Sequence, residues 1–279
     1  DVCSSDLLRD AGIAHIRGDL VIDDTRFDRK AIGSQAIDGK SMRTYNTPPS
    51  ALLVNFGATV ITIDSNPGGF QVYADPAATT LNIKNNVTLN SDDCTTKGRR
   101  ITLDLDVAAK SSELRVGGFY PKNCGPTTFS RTLLPHDQYV YGVFKALWQQ
   151  LGGTFEGTWR YGKTPTKASV LAELESATLT EVIRYINKFS NNVMARNLLL
   201  SLASESGTVP ATPEKAEQVI KIWLEKNAIA MPGLKIDNGA GLSREARLSA
   251  EGLAAVLEAA VRLPWWPEFL GSLPIAEVR

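Results

Sequence analysis

The sequence predicts a multi-domain protein of the α/β class, and three observations support this prediction. Apolar and polar residues alternate in short runs up to about residue 165, which is typical of β-strands. From about residue 166 onward, apolar residues recur every third or fourth position, as they do along helices. With 279 residues, 43% of them hydrophobic, the chain is long enough for about two domains with cores of their own.

The first half of the chain is predicted to be rich in β-strands. Its clearest strand covers residues 100–107, where apolar and polar residues alternate strictly. The apolar positions of this strand, which are expected to face one core, are Ile101, Leu103, Leu105 and Val107. The other predicted strands are residues 18–24, 50–56, 58–64, 70–75 and 80–89.

A helix is predicted to close this half of the chain. After Pro135, apolar residues recur on one helical face, and Gly152 and Gly153 stand where such a helix would end. The apolar residues of this face are Val140, Val143, Phe144, Leu147 and Leu151.

Three more helices are predicted in the second half from their N-terminal signals. Thr178 and Glu181 have the spacing of a capping box. Thr212 precedes a proline at the first helical position, and Ser249 precedes an apolar run. The residues expected to face a core are Val182, Ile183 and Ile186 in the first helix, Ala216, Val219, Ile220, Trp223 and Leu224 in the second, and Leu253, Val256, Leu257 and Ala260 in the third.

The charge of the chain argues against binding to nucleic acid or to an anionic membrane surface. Thirty Lys and Arg residues balance thirty Asp and Glu residues, and no basic block concentrates positive charge locally. No apolar run approaches the ~20 residues of a membrane span, and no signal-peptide pattern opens the sequence. Partners must therefore be inferred from individual sites.

The first seven residues, DVCSSDL, are expected not to belong to the natural protein. Codon by codon, they back-translate to a DNA sequence that resembles the end of a common sequencing adapter. Without Cys3, the chain keeps two cysteines, Cys94 and Cys124. These either form the single disulfide of an exported protein or are two free, buried thiols, because pairing cannot be read from sequence.

A Ser-x-Asn motif, formed by Ser190 and Asn192, lies between two helices of the second half. By itself the motif is weak, because three-letter matches with one free position are frequent. Ser190 is also a suitable residue to cap the helix that runs from Val193 toward Ala203. The motif therefore needs support from the rest of the chain.

Five segments provide that support. In chain order they are GDLVIDD (18–24), YNTPPSAL (45–52), KFSNNVMA (188–195), DNGAGLSR (237–244) and FLGSLPIA (269–276). In this order and spacing they resemble the class C low-molecular-mass penicillin-binding proteins, the S13-like serine peptidases that act as D-alanyl-D-alanine carboxypeptidases and endopeptidases. The resemblance runs from about residue 8 to residue 279 and rests on the whole set of segments.

The resemblance implies a partial transpeptidase or β-lactamase-like catalytic domain at residues 166–279. It also implies a β-rich accessory region, of one or two subdomains, inserted at residues 8–165. Such enzymes use a serine nucleophile in Ser-x-x-Lys, the Ser-x-Asn motif and a Lys-Thr-Gly strand. A serine hydroxyl needs a base to take its proton, and a lysine with a destabilised ammonium group can be that base without any histidine.

The resemblance also assigns roles to the two motif residues. Ser190 is expected to relay a proton between the lysine and the departing D-alanine amine. Asn192 is expected to hold that lysine and the peptide amide of the substrate by hydrogen bonds. The implied substrates are peptidoglycan stem peptides, the implied inhibitors are β-lactam antibiotics, and no cofactor or metal is implied. Such a substrate implies export to the periplasm or cell envelope.

The sequence departs from the family pattern in two ways. It contains neither Ser-x-x-Lys nor Lys-Thr-Gly. By family order these motifs precede residue 8 and follow residue 279, so the chain is expected to be truncated at both ends and inactive by itself. In addition, Asn191, Ala240 and Arg196 stand where the family often has Asp, Ser and Glu.

A nucleotide-binding site is the main rival interpretation, because residues 157–164 match the Walker A string G-x-x-x-x-G-K-T. The context argues against it. The preceding residues make a poor buried strand, and Pro165 disfavours helical geometry at Thr164. A strand and turn are expected there instead.

Other sites find little support in the sequence. His15 and His136 are the two histidines of the chain, and neither lies in a motif. The sequence therefore gives little support to a histidine-based catalytic triad or to the histidine pair of a zinc peptidase. The acidic pairs Asp23/Asp24 and Asp104/Asp106 are interpreted as solvated strand faces, and Trp265 with Trp266 as a packed helix end. A non-enzymatic alternative is a cell-envelope binding module that kept the scaffold and lost the active site.

Overall fold

The computed structural model describes residues 2–32, 38–66, 69–95 and 99–275. The chain divides into two compact units. The first, here called the β-rich unit, consists of Asp1–Asp23, Met42–Thr44 and Leu53–Leu174. The second, here called the helical unit, consists of Asp24–Ser41, Tyr45–Leu52 and Glu175–Arg279. Two short segments from the first half of the sequence therefore group with the second half. The assignment of residues 8–165 and 166–279 to accessory and catalytic domains stays a prediction, as does the foreign origin of residues 1–7.

Helices and strands of both predicted types are present, which confirms the mixed α/β class. The helices are α1 (Val2–Asp10), α2 (Arg29–Ile32), α3 (His136–Gln150), α4 (Leu179–Phe189), α5 (Asn192–Glu205), α6 (Pro213–Lys226), α7 (Ala250–Val261) and α8 (Trp266–Ser272). The strands are β1 (His15–Ile16), β2 (Leu20–Ile22), β3 (Thr59–Asn66), β4 (Gly69–Asp75), β5 (Leu81–Asn90), β6 (Arg100–Val107), β7 (Ser112–Pro121), β8 (Thr127–Arg131), β9 (Thr154–Phe155) and β10 (Trp159–Tyr161).

The β-rich unit contains two three-stranded sheets. Antiparallel pairing gives the order β4-β3-β8 in one sheet. In the other, the order is β5-β7-β6, with β7 parallel to β5 and antiparallel to β6. Two parallel pairs, β1 with β9 and β2 with β10, complete the unit. The core side chains are Ile61, Ile63, Leu114, Val116, Tyr120, Leu133, Leu134, Tyr139 and Val143.

Most of the predicted strands are confirmed. Strand β6 has the predicted bounds, and the predicted runs at 18–24, 58–64, 70–75 and 80–89 correspond to β2, β3, β4 and β5. In β6, Ile101, Leu103 and Leu105 pack against the core as expected. Val107 was wrongly expected to do so and is exposed, because it is the last residue of the strand.

The predicted strand at residues 50–56 is wrong. Its first residues belong to a loop in which Ser50 and Ala51 donate hydrogen bonds to the Asp24 carboxylate. Its last residues start a 3₁₀ helix, Asn55–Gly57, in which Phe56 has a left-handed φ of 54°. Hydrogen bonds to a side chain have thus replaced pairing with a neighbouring strand.

Strand β7 was not predicted, although it is the central strand of its sheet. It contains Gly117 and Gly118, and glycine is unfavourable in strand interiors. At Gly118 φ is +100°, and a Cβ atom there would lie 1.8 Å from the carbonyl oxygen of Arg100 on β6. The close approach of two backbones explains why a strand can require glycine at this position.

Helix α3 and a disulfide further stabilise the β-rich unit. The helix covers the predicted range and ends before Gly152, which has a φ of +77°. Cys94 and Cys124 form a disulfide, with their Cα atoms 5.3 Å apart. Of the two alternatives that the sequence left open, the structure therefore has the disulfide.

In the helical unit, all three predicted N-terminal signals are confirmed. Thr178 and Glu181 form the capping box of α4, Thr212 caps α6 ahead of its proline, and Ser249 caps α7. Two clusters of buried side chains hold the unit together. They are Phe27, Leu199, Leu200, Ala203, Ala211 and Ala216 in one, and Leu224, Ile229 and Leu234 in the other.

Some predicted core residues of these helices are exposed instead. On α6, Trp223 is exposed because this helix packs through Ala216, Ile220 and Leu224. On α7, Leu253 and Leu257 are exposed, because the helix contacts the second cluster through its small residues and Val256. Among the described residues, no helix combines the length and apolar character that a membrane span requires.

Candidate active site

Ser190 lies at the junction between helices α4 and α5. It is the C-terminal cap of α4, and its backbone N–H donates to the carbonyl oxygen of Ile186. Its backbone is left-handed, with φ 52° and ψ 47°. A residue other than glycine costs about 1–2 kcal/mol in this conformation, so the surrounding structure must hold Ser190 in place.

The start of α4 is fixed by its capping box. The Thr178 hydroxyl accepts a hydrogen bond from the backbone of Glu181, and the Glu181 carboxylate accepts one from the backbone N–H of Thr178, at 2.9 Å. The Thr178 hydroxyl also donates to this carboxylate and lowers the pKa of Glu181. Both ends of α4 are therefore set by local hydrogen bonds.

Helix α5 is capped by Asn191. The Oδ1 atom of Asn191 accepts a hydrogen bond from the backbone N–H of Met194 at 3.0 Å. The interpretation of Ser190 as the cap of this helix is therefore wrong. Ser190 is exposed and Asn192, the first residue of α5, is half-buried. Within the described part of the chain, neither side chain is committed to a structural hydrogen bond.

The segment at residues 237–244 forms a loop that rests on α5. A two-way backbone bridge between Lys235 and Arg247 closes the loop at its base, with N···O distances of 2.8 and 2.9 Å. At the tip, Gly239 has a φ of +75°, and a Cβ atom there would lie 3.0 Å from the Cβ of Leu199. A side chain here would crowd Leu199 and strain the backbone, so glycine suits this close approach to α5.

Asn238 gives the loop its shape. Its Oδ1 accepts a hydrogen bond from the backbone N–H of Ala240 at 2.9 Å, and its Nδ2 donates to the carbonyl oxygen of Leu242 at 3.2 Å. Glu217 of α6 fixes the entry to the loop by accepting from the backbone N–H of Ile236 at 2.7 Å. A hydrogen bond from Lys221 lowers the pKa of Glu217 and keeps this acceptor ionised.

The segment at residues 269–276 meets the other side of the junction. Asn187, in the last turn of α4, donates to the hydroxyl of Ser272 at 2.8 Å, and Lys188 donates to the carbonyl oxygen of Leu273. Ser272 is 1% exposed and donates in turn to the carbonyl oxygen of Phe269. Ala276 lies outside the described residues.

The segment Tyr45–Leu52 contacts α5 through two side chains that follow the motif. Arg196 donates to the carbonyl oxygen of Thr47, and Asn197 accepts from the backbone N–H of Ser50, both at 3.2 Å. Asp24 is 4% exposed and accepts from Ser50 and from the backbone N–H of Ala51. Asp24 is therefore a structural carboxylate, and its interpretation as part of a solvated face is wrong.

Arg196 is an unusual buried cation. It is 7% exposed, and burial lowers the pKa of its guanidinium, while the Asp237 carboxylate acts in the opposite direction. Its Nε atom has no acceptor among the described residues. Arg196 and Asp237 also line a small cleft of about 120 Å³. The charge of Arg196 thus links α5 electrostatically to the loop at residues 237–244.

The structure gives the Walker A string a different conformation from a phosphate-binding loop. Trp159–Tyr161, inside the string, is strand β10, which pairs in parallel with β2. No helix follows Lys163 and Thr164, and the backbone N–H of Thr164 donates to the Asp23 carboxylate at 2.7 Å. The expectation of a strand and turn here is confirmed.

The remaining candidate residues are dispersed. His15 contacts Thr154 at 2.7 Å, and His136 contacts Tyr161 at 3.4 Å. Asp104 is exposed and pairs with Arg115 at 3.0 Å. Among the described residues, no three His, Cys, Asp or Glu side chains cluster as metal ligands would.

The sequence did not reveal the structural roles of several residues at the α4–α5 junction. Asn191 was noted only as a departure from a family pattern, although it is the cap. Asn187 and Lys188 were given no role of their own, and their partners lie about 85 residues further along the chain. The one local signal for a cap was the position of Asn191, because asparagine directly before a helix is a preferred N-cap residue.

Comparison with known proteins identifies the family that this chain matches. A sequence profile of the D-Ala-D-Ala carboxypeptidase 3 (S13) family matches residues 4–278. A D-alanyl-D-alanine carboxypeptidase from Actinomadura sp. (strain R39) is 28% identical over 278 residues, which cover 95% of this chain and 50% of that protein. The D-alanyl-D-alanine carboxypeptidase DacB of Haemophilus influenzae is 24% identical, over 97% of this chain and 56% of that protein.

The fold is also similar to a solved structure. The crystal structure of penicillin binding protein 4 (dacB) from Haemophilus influenzae superposes with a TM-score of 0.74 at 22% identity, covering 97% of this chain and 59% of that one. A second structure of that protein, complexed with a novel β-lactam, gives a TM-score of 0.70 at 22% identity, over 98% of this chain and 58% of that one. The chain thus spans between half and three fifths of the length of the relatives that it matches.

Proposed function

The chain belongs to the D-Ala-D-Ala carboxypeptidase 3 (S13) family, and from this we propose that the complete protein is a serine peptidase of the bacterial cell wall. It hydrolyses the terminal D-alanine of peptidoglycan stem peptides, or cross-links between such peptides, through an acyl-serine intermediate. Ser190 and Asn192 belong to its active site. The nucleophilic serine with its lysine and the Lys-Thr-Gly strand come from parts of the protein outside residues 1–279.

One observation carries this proposal: three of the segments that resemble the family contact the two helices that meet at Ser190. The loop at residues 237–244 rests on α5, and the segment after Phe269 is bound to the last turn of α4. The segment Tyr45–Leu52 is bound to α5 from Arg196 and Asn197. Segments far apart in sequence support one short stretch of backbone, as expected for a site that needs fixed geometry.

The local chemistry supports the roles of both residues. Because Asn191 supplies the helix cap, the Ser190 hydroxyl is left free to exchange a proton. Ser190 also occupies a left-handed backbone conformation that glycine would adopt at lower cost. Strain of this kind is frequent at functional positions. The amide of Asn192 can donate to one group and accept from another, which suits a residue that holds both a lysine and a peptide.

The partners and the location follow from the proposed reaction. The substrates are peptidoglycan stem peptides, and β-lactam antibiotics acylate the nucleophilic serine, which is not Ser190. One of the similar structures is a complex of the Haemophilus influenzae protein with a β-lactam, which supports this partner. Because the substrate lies outside the cytoplasmic membrane, we place the protein in the periplasm or the cell envelope.

The test requires the complete open reading frame, cloned from the source DNA. Acylation is measured with a fluorescent penicillin, and hydrolysis by release of D-alanine from a synthetic peptide ending in D-Ala-D-Ala. The Ser190→Ala variant should lower the hydrolysis rate by about 10²–10⁴-fold, the usual contribution of a general acid or base. Cleavage of cross-linked peptide dimers then distinguishes endopeptidase from carboxypeptidase activity.

A control is Ser201→Ala, which removes a half-buried serine from α5, the helix that follows Ser190. This variant should keep the wild-type rate. Full activity of Ser190→Ala would reject the role of Ser190, and absence of both acylation and hydrolysis in the complete wild-type protein would reject the proposed function. Residues 1–279 expressed alone should form no acyl-enzyme, and their stoichiometric labelling by the penicillin would contradict the proposal that the nucleophile lies elsewhere.

A further inference from the structure

A groove runs along the surface of helix α6, and it is here called the α6 groove. Its volume is about 440 Å³, which is within the usual range of small-molecule sites. One wall is formed by α6 and the other by Ser206 and Thr208, which follow α5. Because α6 packs on the buried clusters through other residues, the side chains that face the groove are available to a ligand.

The floor of the groove is apolar. It is formed by Val219, Ile222 and Trp223 of α6. Ile222 is 49% exposed and Trp223 is 38% exposed. An indole that is partly open in this way offers a flat apolar surface with an N–H donor at its edge. Such a surface suits a ligand that is apolar on one side and polar at its margins.

Two lysines stand at the ends of this floor. The Nζ atom of Lys215 donates a hydrogen bond to the carbonyl oxygen of Pro210 at 2.7 Å, which fixes one cation near the start of α6. Lys226 is exposed in the last turn of the helix. Their Cα atoms are separated by eleven residues, or about 16 Å along the helix axis. Among the described residues that line the groove, none is acidic.

The acidic residues of α6 lie on other sides of the helix. At 100° per residue, the two groove lysines are about 20° apart around the axis, whereas Glu214, Glu217 and Glu225 are about 80–180° away from them. The positive charge is therefore concentrated at the groove, although the chain as a whole is neutral. This charge is complementary to an elongated ligand that carries carboxylates.

The polar side chains of the groove favour a ligand with amide groups. Ser206 donates its hydroxyl proton to the carbonyl oxygen of Ala203 at 2.7 Å, and its oxygen lies 3.2 Å from the hydroxyl oxygen of Thr208. Since the proton of Ser206 is used, Thr208 donates in this pair and keeps its lone pairs as acceptors. Gln218 adds an exposed amide, which can both donate and accept.

We propose that the α6 groove binds the muramyl-peptide units of peptidoglycan, which are N-acetylated amino sugars that carry an acidic stem peptide. The apolar side of the sugar packs on the indole of Trp223, and carboxylates of the peptide pair with Lys215 and Lys226. The inference rests on the proposed function, because that function brings the protein to this polymer. None of the groove residues belongs to the segments gathered at Ser190, so the groove holds the polymer at a second place.

The shape of the groove favours this occupant over an anionic membrane. Lysines beside a tryptophan also occur on membrane-binding helices, where the apolar side chains project into the lipid. Here Val219, Ile222 and Trp223 line a depression, which receives a ligand. Binding to lipid vesicles is therefore an alternative that the experiment must separate.

Binding is measured by calorimetry on the complete protein, with N-acetylmuramyl tripeptide as the probe. This probe has the sugar and the carboxylates but lacks the terminal D-alanines, so it is not a substrate for the proposed hydrolysis. We expect a dissociation constant below about 1 mM that rises with ionic strength. Trp223→Ala should weaken binding at least about tenfold, and Lys226→Gln about threefold.

Lys221→Gln is the matched control, because it makes the same change on another side of α6, where Lys221 pairs with Glu217. It should bind the probe as the wild type does. Lys226→Gln changes no apolar packing and keeps the test valid if circular dichroism shows that Trp223→Ala does not fold. A second titration uses protein that has first been acylated with penicillin, and binding should persist there.

Three results would overturn the proposal. They are no binding of the probe, equal affinity of the wild type and Lys226→Gln, and loss of binding after acylation, which would place the probe at the active site. Sedimentation with phosphatidylglycerol vesicles that Lys226→Gln abolishes, without binding of the probe, would assign the groove to an anionic membrane. Probe binding needs no acylation, so a protein that binds the probe at the groove without reacting with penicillin would reject only the proposed function.

Discussion

Strand β7 and helix α4 are both apolar along one side, but only the strand is covered. Leu114, Val116 and Tyr120 of β7 are 0% exposed, whereas Leu179 and Phe189 of α4 are 60% and 72% exposed. The strand is paired on both edges and its side chains belong to the core of the β-rich unit. The helix has a capping box at its start and hydrogen bonds to α8 at its end, and none of its residues is buried.

The difference indicates where each unit obtains its stability. The β-rich unit buries large side chains against one another and adds a disulfide, so its own residues are sufficient for a core. The larger core cluster of the helical unit includes three alanines, and many large apolar side chains of this unit remain exposed. The helical unit of residues 1–279 is therefore expected to be less stable than the β-rich unit.

Truncation of one leucine in each element should give the largest contrast. In residues 1–279, Leu114→Ala should destabilise the β-rich unit by about 3–5 kcal/mol, because it leaves a cavity at a fully buried site. Leu179→Ala should change the stability of α4 by less than about 0.5 kcal/mol, as is usual for exposed positions. Hydrogen exchange of β7 and of α4 along a urea series measures each element separately. Equal effects would contradict the comparison.

Loss of the disulfide should have the next largest effect, and only on the β-rich unit. Cys94 and Cys124 close a loop with a sequence separation of 30. Replacing both by serine should destabilise the unit by about 3–4 kcal/mol, according to the loop-closure relation. The measurement is hydrogen exchange of β7, with α6 of the helical unit as the internal control. A matching loss of protection in α6 would show that the two units do not unfold independently.

The α4–α5 junction should respond to two adjacent substitutions with opposite signs. Asn191→Ala removes the cap of α5 and should cost about 1 kcal/mol. Ser190→Gly relieves a left-handed conformation and should stabilise the junction by about 0.5–1 kcal/mol, after the entropy of glycine is deducted. Exchange of the α5 amides measures both. Destabilisation by Ser190→Gly would argue that the Ser190 side chain has a structural role after all.

The sequence predicted the parts of this fold that depend on local signals. The caps at Thr178, Thr212 and Ser249 and the alternation in β6 need only neighbouring residues, and the structure contains each of them. Strand β7 was missed because its glycine pair is explained only by the approach of β6, a partner that periodicity does not reveal.

The candidate site shows the same division. Ser190 and Asn192 could be identified by resemblance to the family, because they form one short motif in the sequence. The hydrogen bonds that support them join Asn187 to Ser272 and Arg196 to Thr47, across 85 and 149 positions. No single-sequence pattern encodes such pairs. For the same reason, the predicted burial of Leu253 was wrong. Amphipathicity shows that one face of a helix is apolar, but it does not show whether other residues cover that face.

The smallest expected effect is a change of stability with pH. It tests whether polar contacts such as those of Asp38 contribute to the stability of the helical unit. Asp38 accepts hydrogen bonds from the Tyr45 hydroxyl at 2.6 Å and the Asn46 amide at 2.7 Å, which lower the pKa of its carboxyl from 3.8 to about 2. A carboxyl with a depressed folded-state pKa stabilises the fold above its unfolded pKa. This stabilisation should therefore be complete above about pH 4 and disappear as the pH falls toward 2.

Asp38→Asn isolates this contribution. Because the carboxylate is exposed and screened by solvent, the variant should be only slightly less stable than wild type at pH 7, and the two should converge as the pH falls from about 4 to 2. Titration of the Asp38 carboxyl by ¹³C NMR gives the folded pKa directly. A midpoint at the ordinary value of 3.8 would mean that the hydroxyl of Tyr45 and the amide of Asn46 do not hold the carboxylate in solution. The contact of Asp38 with Tyr45 and Asn46 would then add no pH-dependent stability to the helical unit.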